Sequence, residues 1–285
     1  MTATDSVWGV VLAGGSGSRL SALTTDATGT VIPKQYCSVL GGPSLLRMTI
    51  QRLKTVIDPT RIIVVVSALH RRWWESELDD ITPENVIVQP CNRGTACGLL
   101  LPLISLLHRD SNARIVVSPS DHYVQEEGTL LQSIQEALEQ VDARPELLVM
   151  LGMEPDRPDT GYGWITPEAD SEDVVRAVAS FVEKPDAKLA DELMESGALW
   201  SSFTIITTAE SLMPRFRCSM SWLVDRFSRR LTNTGTFDRQ YGLLSLYDRL
   251  PTVVISRRVL EHAGTEVHVL PVPPRTDPAA PRRRA

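Results

Sequence analysis

The sequence predicts an α/β fold: a mostly parallel central sheet with helices on both faces. Three observations carry that reading. Between residues 8 and 152, short aliphatic runs rich in valine and isoleucine alternate with amphipathic stretches of helical spacing. The runs are apolar throughout, as strands buried on both faces are. The first run closes in a loop containing Gly14, Gly15 and Gly17, and polar turns follow later runs. Strands and helices in regular alternation give right-handed crossovers and a sheet covered on both sides.

The elements follow in order. Residues 1–7 read as a loose tail, and Val10, Val11 and Leu12 as the first strand. In the loop that follows, glycine permits positive φ and lets a ligand approach the amides. Several N–H groups pointing one way form an anion site, strengthened by a following helix N-terminus. Arg19 adds a forked positive charge suited to phosphate oxygens. The loop reads as a polyphosphate cradle; a plain strand-to-helix turn is the competing reading. It is no dinucleotide fingerprint, because Leu20 stands where the third glycine of G-x-G-x-x-G belongs, and it lacks the G-K-[ST] of a P-loop.

Residues 21–32 have no periodicity and read as a loop. Lys34, just beyond, is either solvated or a point charge for phosphate. Residues 44–57 form a helix on the spacing of Leu45, Leu46, Met48, Leu53, Val56 and Ile57, capped by Ser44. Residues 61–67 are a buried strand. His70 is a surface, capping or ligand-facing histidine. Trp73 and Trp74 cannot both face one side of a helix; one packs inward and the other is the first candidate for a surface between copies in a homodimer.

Residues 85–89 are a third strand and 96–108 a Leu-rich helix. Between them Gln89, Asn92, Arg93, Gly94 and Thr95 form a polar turn at the carboxyl edge of the sheet, where α/β ligands bind. Gln89 and Asn92 carry amides able to read base edges, and Arg93 can clamp phosphate; a capped helix start is the alternative. Residues 113–122 are a fourth strand ending in Asp121 and His122. A carboxylate there costs desolvation energy unless something pairs with it. Mg2+ beside a polyphosphate is a natural partner, and capping the next turn is the other role. Residues 129–141 are an amphipathic helix and 146–152 a fifth strand.

Beyond residue 152 the texture changes. Residues 159–165 form a Gly-aromatic turn in which Gly161 and Gly163 flank Tyr162, leaving room for a flat or ring-shaped ligand; a hairpin turn is the alternative. A strand over 174–181 leads into Glu183 and Lys184. These can bind sugar hydroxyls and a sugar phosphate, or form an exposed ion pair of little value. Residues 188–196 are a helix with Gly197 as its C-cap, and 199–207 another strand. Residues 211–216, 220–231 and 237–250 are helical. A short β-like stretch at 253–255, a helical 259–262 and a last strand at 266–272 follow. Residues 273–285, rich in proline and arginine, read as a disordered tail.

The 285 residues, 42% of them apolar, suit one large soluble domain or a domain with a small appendage. Cys37, Cys91, Cys97 and Cys218 show no metal spacing and read as free thiols in a reducing cytosol. No signal-peptide pattern and no bilayer-length apolar run are present, so a cytoplasmic protein without a membrane partner is expected. The net charge of −6 argues against nucleic acid as a partner but not against nucleotides.

Taken together, several strings resemble a known family. They are G-G-x-G-x-R-L at 14–20, Pro33-Lys34-Gln35, the Q-P-x-N-R-G-T-A turn at 89–96, P-S-D-H ending at His122, T-G-Y-G at 160–163, and F-V-E-K-P ending at Pro185. In this order they resemble the mannose-1-phosphate guanylyltransferase group of the sugar-1-phosphate nucleotidyltransferases. The resemblance implies a Rossmann-like nucleotidyltransferase domain over 1–272, with a nucleotide half at about 7–150 and a sugar half at about 151–272. It implies the reaction of GTP with mannose 1-phosphate to give GDP-mannose and pyrophosphate, with Mg2+ as cofactor. Arg19, Lys34 and Asp121 would be catalytic. Leu12, Ala13, Gly14, Gly15, Gly17 and Arg19, with Gln89, Asn92, Arg93, Gly94, Thr95 and Asp121, would hold the nucleotide. Tyr162, Gly163, Glu183, Lys184 and Ser201 would hold the sugar phosphate, and Asp121 with Asp277 the metal.

Three departures stand out. Ser201 follows Trp200 where the family has asparagine. Arg275, Thr276 and Asp277 are the best match to the family's second metal motif but lack its tryptophan. The chain stops soon after, so the isomerase activity of longer relatives is not expected. A non-catalytic relative that binds nucleotide as a regulatory or assembly subunit is the alternative.

Overall fold

The computed structural model describes residues 6–17, 24–26, 28–39, 41–169, 173–231, 243–261 and 267–273. Its centre is a nine-stranded sheet in the order β3-β2-β1-β4-β8-β5-β9-β7-β6. The strands are β1 (Val7–Ala13), β2 (Ile62–Ser67), β3 (Val86–Gln89), β4 (Arg114–Pro119), β5 (Leu148–Met153), β6 (Gly163–Pro167), β7 (Arg176–Glu183), β8 (Leu199–Thr208) and β9 (Val267–Val272). The helices are α1 (Leu45–Leu53), α2 (Thr95–Arg109), α3 (Glu127–Ala143), α4 (Ala187–Glu195) and α5 (Ala209–Leu231).

The parallel arrangement expected from the sequence holds for β3, β2, β1 and β4. Beyond β4 the sheet is mixed. β8 inserts antiparallel between β4 and β5, β5 and β9 run parallel, and β7 pairs antiparallel with β9 and β6. β8 comes late in the sequence yet sits in the middle of the sheet, so one continuous sheet carries both sequence halves.

Alternation within each strand builds two cores. Val10 and Val65 face one side, with Leu99, Leu100 and Leu103 of α2 and Leu212, Phe216 and Phe227 of α5. Val11 and Val64 face the other, with Leu46, Ile50 and Leu53 of α1 and Leu130, Ile134 and Val141 of α3. Each fully buried aliphatic side chain contributes about 1.5–3 kcal/mol, so both faces of the inner strands are held by the helices packed on them. Ser44 caps α1 by accepting from Arg47 N–H at 3.1 Å. α4 ends in the paired turn bonds Gly197 N–H to Met194 O and Ala198 N–H to Leu193 O, with Gly197 at φ 79° one residue past the Ser196 C-cap.

Several elements differ from the sequence reading. The helices expected at 211–216 and 220–231 are present as two segments of Ala209–Leu231 that meet at non-helical Met220 (φ −148°, ψ 47°). The β-like stretch at 253–255 joins no strand and instead bonds to the turn before α2. Residues 256–260 form a π-helical turn, Ser256–Leu260. Of the 237–250 helix, residues 243–248 are helical and 237–242 lie outside the described residues, as do most of the N-terminal tail, Arg19, and the tail beyond residue 273 with Asp277. Trp74 is buried and donates to Ser67 O at 2.8 Å. Trp73 stacks on Tyr36 (6.2 Å, 9°) beneath the Arg72 guanidinium. His70 meets both rings edge-on. Trp74 is thus the inward-packing one of the pair, and Trp73 is half-buried. Among the described residues no helix is long and apolar enough to cross a membrane.

Candidate active site

A cleft of about 780 Å³ opens at the carboxyl ends of the parallel strands. Leu12 lines it from the end of β1 and Gly14, Gly15 and Gly17 from the loop beyond, Gln89 from the end of β3 and Asn92 from the turn that follows, and Asp121 and His122 from the turn after β4. Parallel strands end on one side of the sheet, so sequence-distant loops converge there.

The glycine loop is held from beneath. Gln35 Nε2 donates to Ala13 O (3.0 Å) and Gly15 O (2.7 Å), and the Tyr36 hydroxyl donates to Ala13 O (3.1 Å). With the carbonyls drawn downward, the loop's N–H groups are left for a ligand. Ala13 is therefore a buried anchor, not a lining residue. Gly17 is required on two counts. Its φ is 61°, and a Cβ there would lie 2.6 Å from the Lys34 nitrogen. This packing sets Lys34 beside the loop, where it also lines the cleft.

At the next turn Gln89 is 2% exposed and its Nε2 has no hydrogen-bond partner among the described residues. Asn92 Oδ1 accepts from Gly94 N–H at 2.8 Å and so shapes the turn. Gly94 (φ 86°) is the N-cap of α2, whose positive end faces the cleft. Thr95 Oγ1 accepts from Ile255 N–H at 3.1 Å. Arg93 does not line the cleft: its Nε donates to Tyr247 O at 2.7 Å. This bond ties the turn to helical residues 243–248.

The other wall comes from the antiparallel strands. Gly163 begins β6 and is registered with Glu183, the last residue of β7. A Cβ at Gly163 would meet Phe181 Cζ at 2.6 Å and Glu183 Oε2 at 3.2 Å. Lys184 sits in the left-handed region (φ 53°), donates its N–H to Tyr162 O at 3.1 Å, and pairs its Nζ with Glu183 Oε1 at 2.8 Å. Tyr162 stacks on Trp200 (4.8 Å, 23°), and the Arg157 guanidinium lies 5.3 Å from the Trp200 ring while bonding Asp159. Ser201 Oγ accepts from Phe203 N–H at 3.2 Å, which supports the left-handed backbone of Phe203 (φ 56°).

The Asp121 carboxylate has His122 Nε2 at 3.8 Å as its recorded ion-pair neighbour. Burial holds the His122 imidazole below its usual value and outweighs the opposing pull of Asp121. Burial also raises the Tyr162 hydroxyl. Among the described residues no lysine or arginine pairs with this carboxylate, and a hard oxygen ligand so placed fits a divalent cation that completes its shell with substrate oxygens. Among the described residues no cluster of three or more His, Cys, Asp or Glu forms a closed metal cage.

Residues 8–218 match the nucleotidyl transferase family. The chain belongs to that family. It is 32% identical over 215 residues to alginate biosynthesis protein AlgA of Pseudomonas syringae pv. tomato, covering 73% of this chain and 43% of that one. It is 33% identical over 209 residues to mannose-1-phosphate guanylyltransferase RfbM of Salmonella typhimurium, covering 72% and 42%. The chain therefore spans less than half the length of these curated relatives. Its fold is similar to a Thermus thermophilus structure described as a mannose-1-phosphate geranyltransferase, with TM-score 0.80 and 26% identity, over 94% of this chain and 74% of that one. A Helicobacter pylori structure described as a mannose-6-phosphate isomerase shares the fold at TM-score 0.68 and 18% identity, over 94% and 97%. Of these proteins, RfbM carries the name of the group that the motif strings resemble.

Two features of this nucleotidyl transferase escaped the sequence reading. Gln35, 2% exposed, holds the glycine loop; its place directly after Lys34 was the available signal. Thr252, Val254 and Ser256 form a further stretch of cleft wall. The β-like pattern at 253–255 marked an extended segment but could not say where it docks.

Proposed function

We propose that the chain is a cytoplasmic mannose-1-phosphate guanylyltransferase, joining GTP and mannose 1-phosphate to GDP-mannose with release of pyrophosphate. One observation carries the reading: a single cleft is lined by the glycine loop, Lys34, Gln89 and Asp121 on one side and by Gly163, Glu183 and Lys184 on the other. That is the arrangement needed to bring a nucleoside triphosphate and a sugar phosphate together.

The loop amides and Lys34 hold the triphosphate, joined by Arg19 from the segment that follows. Gln89 reads the base edge. Glu183 accepts from sugar hydroxyls and Lys184 neutralises the sugar phosphate. The cleft orients a sugar-phosphate oxygen for in-line attack on the α-phosphorus, and pyrophosphate leaves without a covalent enzyme intermediate. Asp121, with Asp277 as the second carboxylate, would hold Mg2+, which neutralises charge shared by the two phosphates. Catalysis then rests on positioning and charge compensation. Tyr162 and Ser201 shape the sugar end.

The test is pyrophosphate release with Mg2+, scanning the four nucleoside triphosphates against mannose 1-phosphate and glucose 1-phosphate. Turnover confined to GTP with mannose 1-phosphate is expected. Turnover with another pair changes the substrate assignment. GTP binding without turnover for any pair rejects the enzyme reading in favour of a non-catalytic relative.

A further inference from the structure

One wall of the cleft comes from a segment that the family strings do not include. Residues 252–256 run so that Thr252, Val254 and Ser256 line the cleft, while Val253 and Ile255 are buried in the core. The alternation passes into helical backbone at Ile255 (φ −65°, ψ −37°), so Ser256 faces the cleft from the first position of the turn that follows. The segment is held by the first turn of α2. Val253 N–H donates to Arg93 O (2.9 Å), Ala96 N–H donates to Val253 O (3.0 Å), and Ile255 N–H donates to Thr95 Oγ1 (3.1 Å). The approach is so close that a Cβ on Gly94 would sit 2.2 Å from Val253 O. Farther on, Glu261 Oε1 accepts from Glu183 N–H at 3.2 Å. Between these two attachments lies the π-helical turn Ser256–Leu260, a distortion that proteins concentrate at functional sites.

Ser256 opens that turn. It is 1% exposed, it lines the cleft, and its hydroxyl has no hydrogen-bond partner among the described residues. A buried hydroxyl left without a partner costs free energy and is uncommon. The same is true of Gln89 Nε2, which packs on the same turn of α2: a Cβ on Gly98 would lie 3.3 Å from it. Two orphaned polar groups thus flank one helical turn and border one cleft.

The geometry points to Ser256 as a binding residue for the nucleoside portion of the nucleotide, acting with Gln89 on either side of the first turn of α2. A neutral hydroxyl that both donates and accepts matches a ribose hydroxyl or a base edge. Phosphate charge is served by the glycine loop and Lys34. The inference rests on the nucleotide reading of the cleft and extends it to a residue outside the family strings.

The test is calorimetric titration with GTP, melting curves with and without GTP, and steady-state KM values for both substrates. Ser256→Ala removes the orphan hydroxyl, so the free protein melts no lower than wild type. It should weaken GTP binding and raise KM for GTP about tenfold, the worth of one good hydrogen bond, and leave KM for mannose 1-phosphate unchanged. Ser256→Cys, close in volume and a poor donor, should show the same loss. Unchanged GTP affinity in both variants, or equal losses for both substrates, overturns the assignment while leaving the nucleotide cleft intact. Failure of the wild-type chain itself to bind GTP overturns the nucleotide reading and this inference with it.

Discussion

The two walls of the cleft are built on different principles. On the side proposed for the nucleotide, β3, β2, β1 and β4 run parallel, and each site residue lies at the carboxyl end of a strand or in the segment that follows it. On the sugar side, Gly163 starts β6, Glu183 ends β7 and Ser201 lies near the start of β8. Parallel strands deliver every carboxyl end to one edge, so a motif's place after its strand already says that it faces the site. Antiparallel strands alternate ends, so facing the site depends on pairing and register. The pairing of Gly163 with Glu183 is such a case.

This contrast suggests perturbations with separate signatures. The largest effect is expected for Asp121→Asn on the nucleotide side. If Asp121 holds the metal, kcat falls about a thousandfold or more, while the melting temperature stays near wild type because among the described residues the carboxylate has no lysine or arginine pair. Near-normal turnover would reject the metal role.

Next comes a pair of glycines on that same side. Gly94→Ala drives a Cβ into Val253 O at φ 86° and should cost about 3 kcal/mol in urea unfolding, from strain and overpacking together. Gly15→Ala meets open space and should leave unfolding almost unchanged while impairing GTP binding. Equal stability losses would mean that the first turn of α2 is not the rigid joint described above.

The sugar side answers to Lys184→Ala. Loss of a charged hydrogen-bond donor should raise KM for mannose 1-phosphate about tenfold or more with little change for GTP. A matching rise for GTP would erase the functional division between the two walls.

The smallest effect is on pH dependence. Burial lowers both His70, on the nucleotide side, and His268, in β9. Their folded-state values lie below 6.5, so the unfolded chain takes up more protons as pH falls through that value. The stability they contribute is complete above pH 6.5 and declines below it. Chemical denaturation at pH 7.5 and 5.5 should show this fall. His70→Gln and His268→Gln should each reduce it, and an unchanged slope in either variant removes that histidine from the account.

Much of this was legible in the chain itself. Unbroken aliphatic runs such as 62–67 can be buried only in the middle of a sheet, and glycine at 14, 15 and 17 makes a side-chain-free loop wherever the strand ends. Local chemistry therefore determined the first five strands, the helices between them, and the set of residues around Lys34, Gln89 and Asp121. Tertiary structure decided the rest. Arg93 Nε took Tyr247 O as its partner, and Gln35 became the support of the glycine loop. β8 entered the sheet between β4 and β5, and residues 252–256 closed the cleft against α2. None of these follows from spacing, because each is a contact between segments far apart in sequence, and its partner is chosen by the packing of the whole sheet.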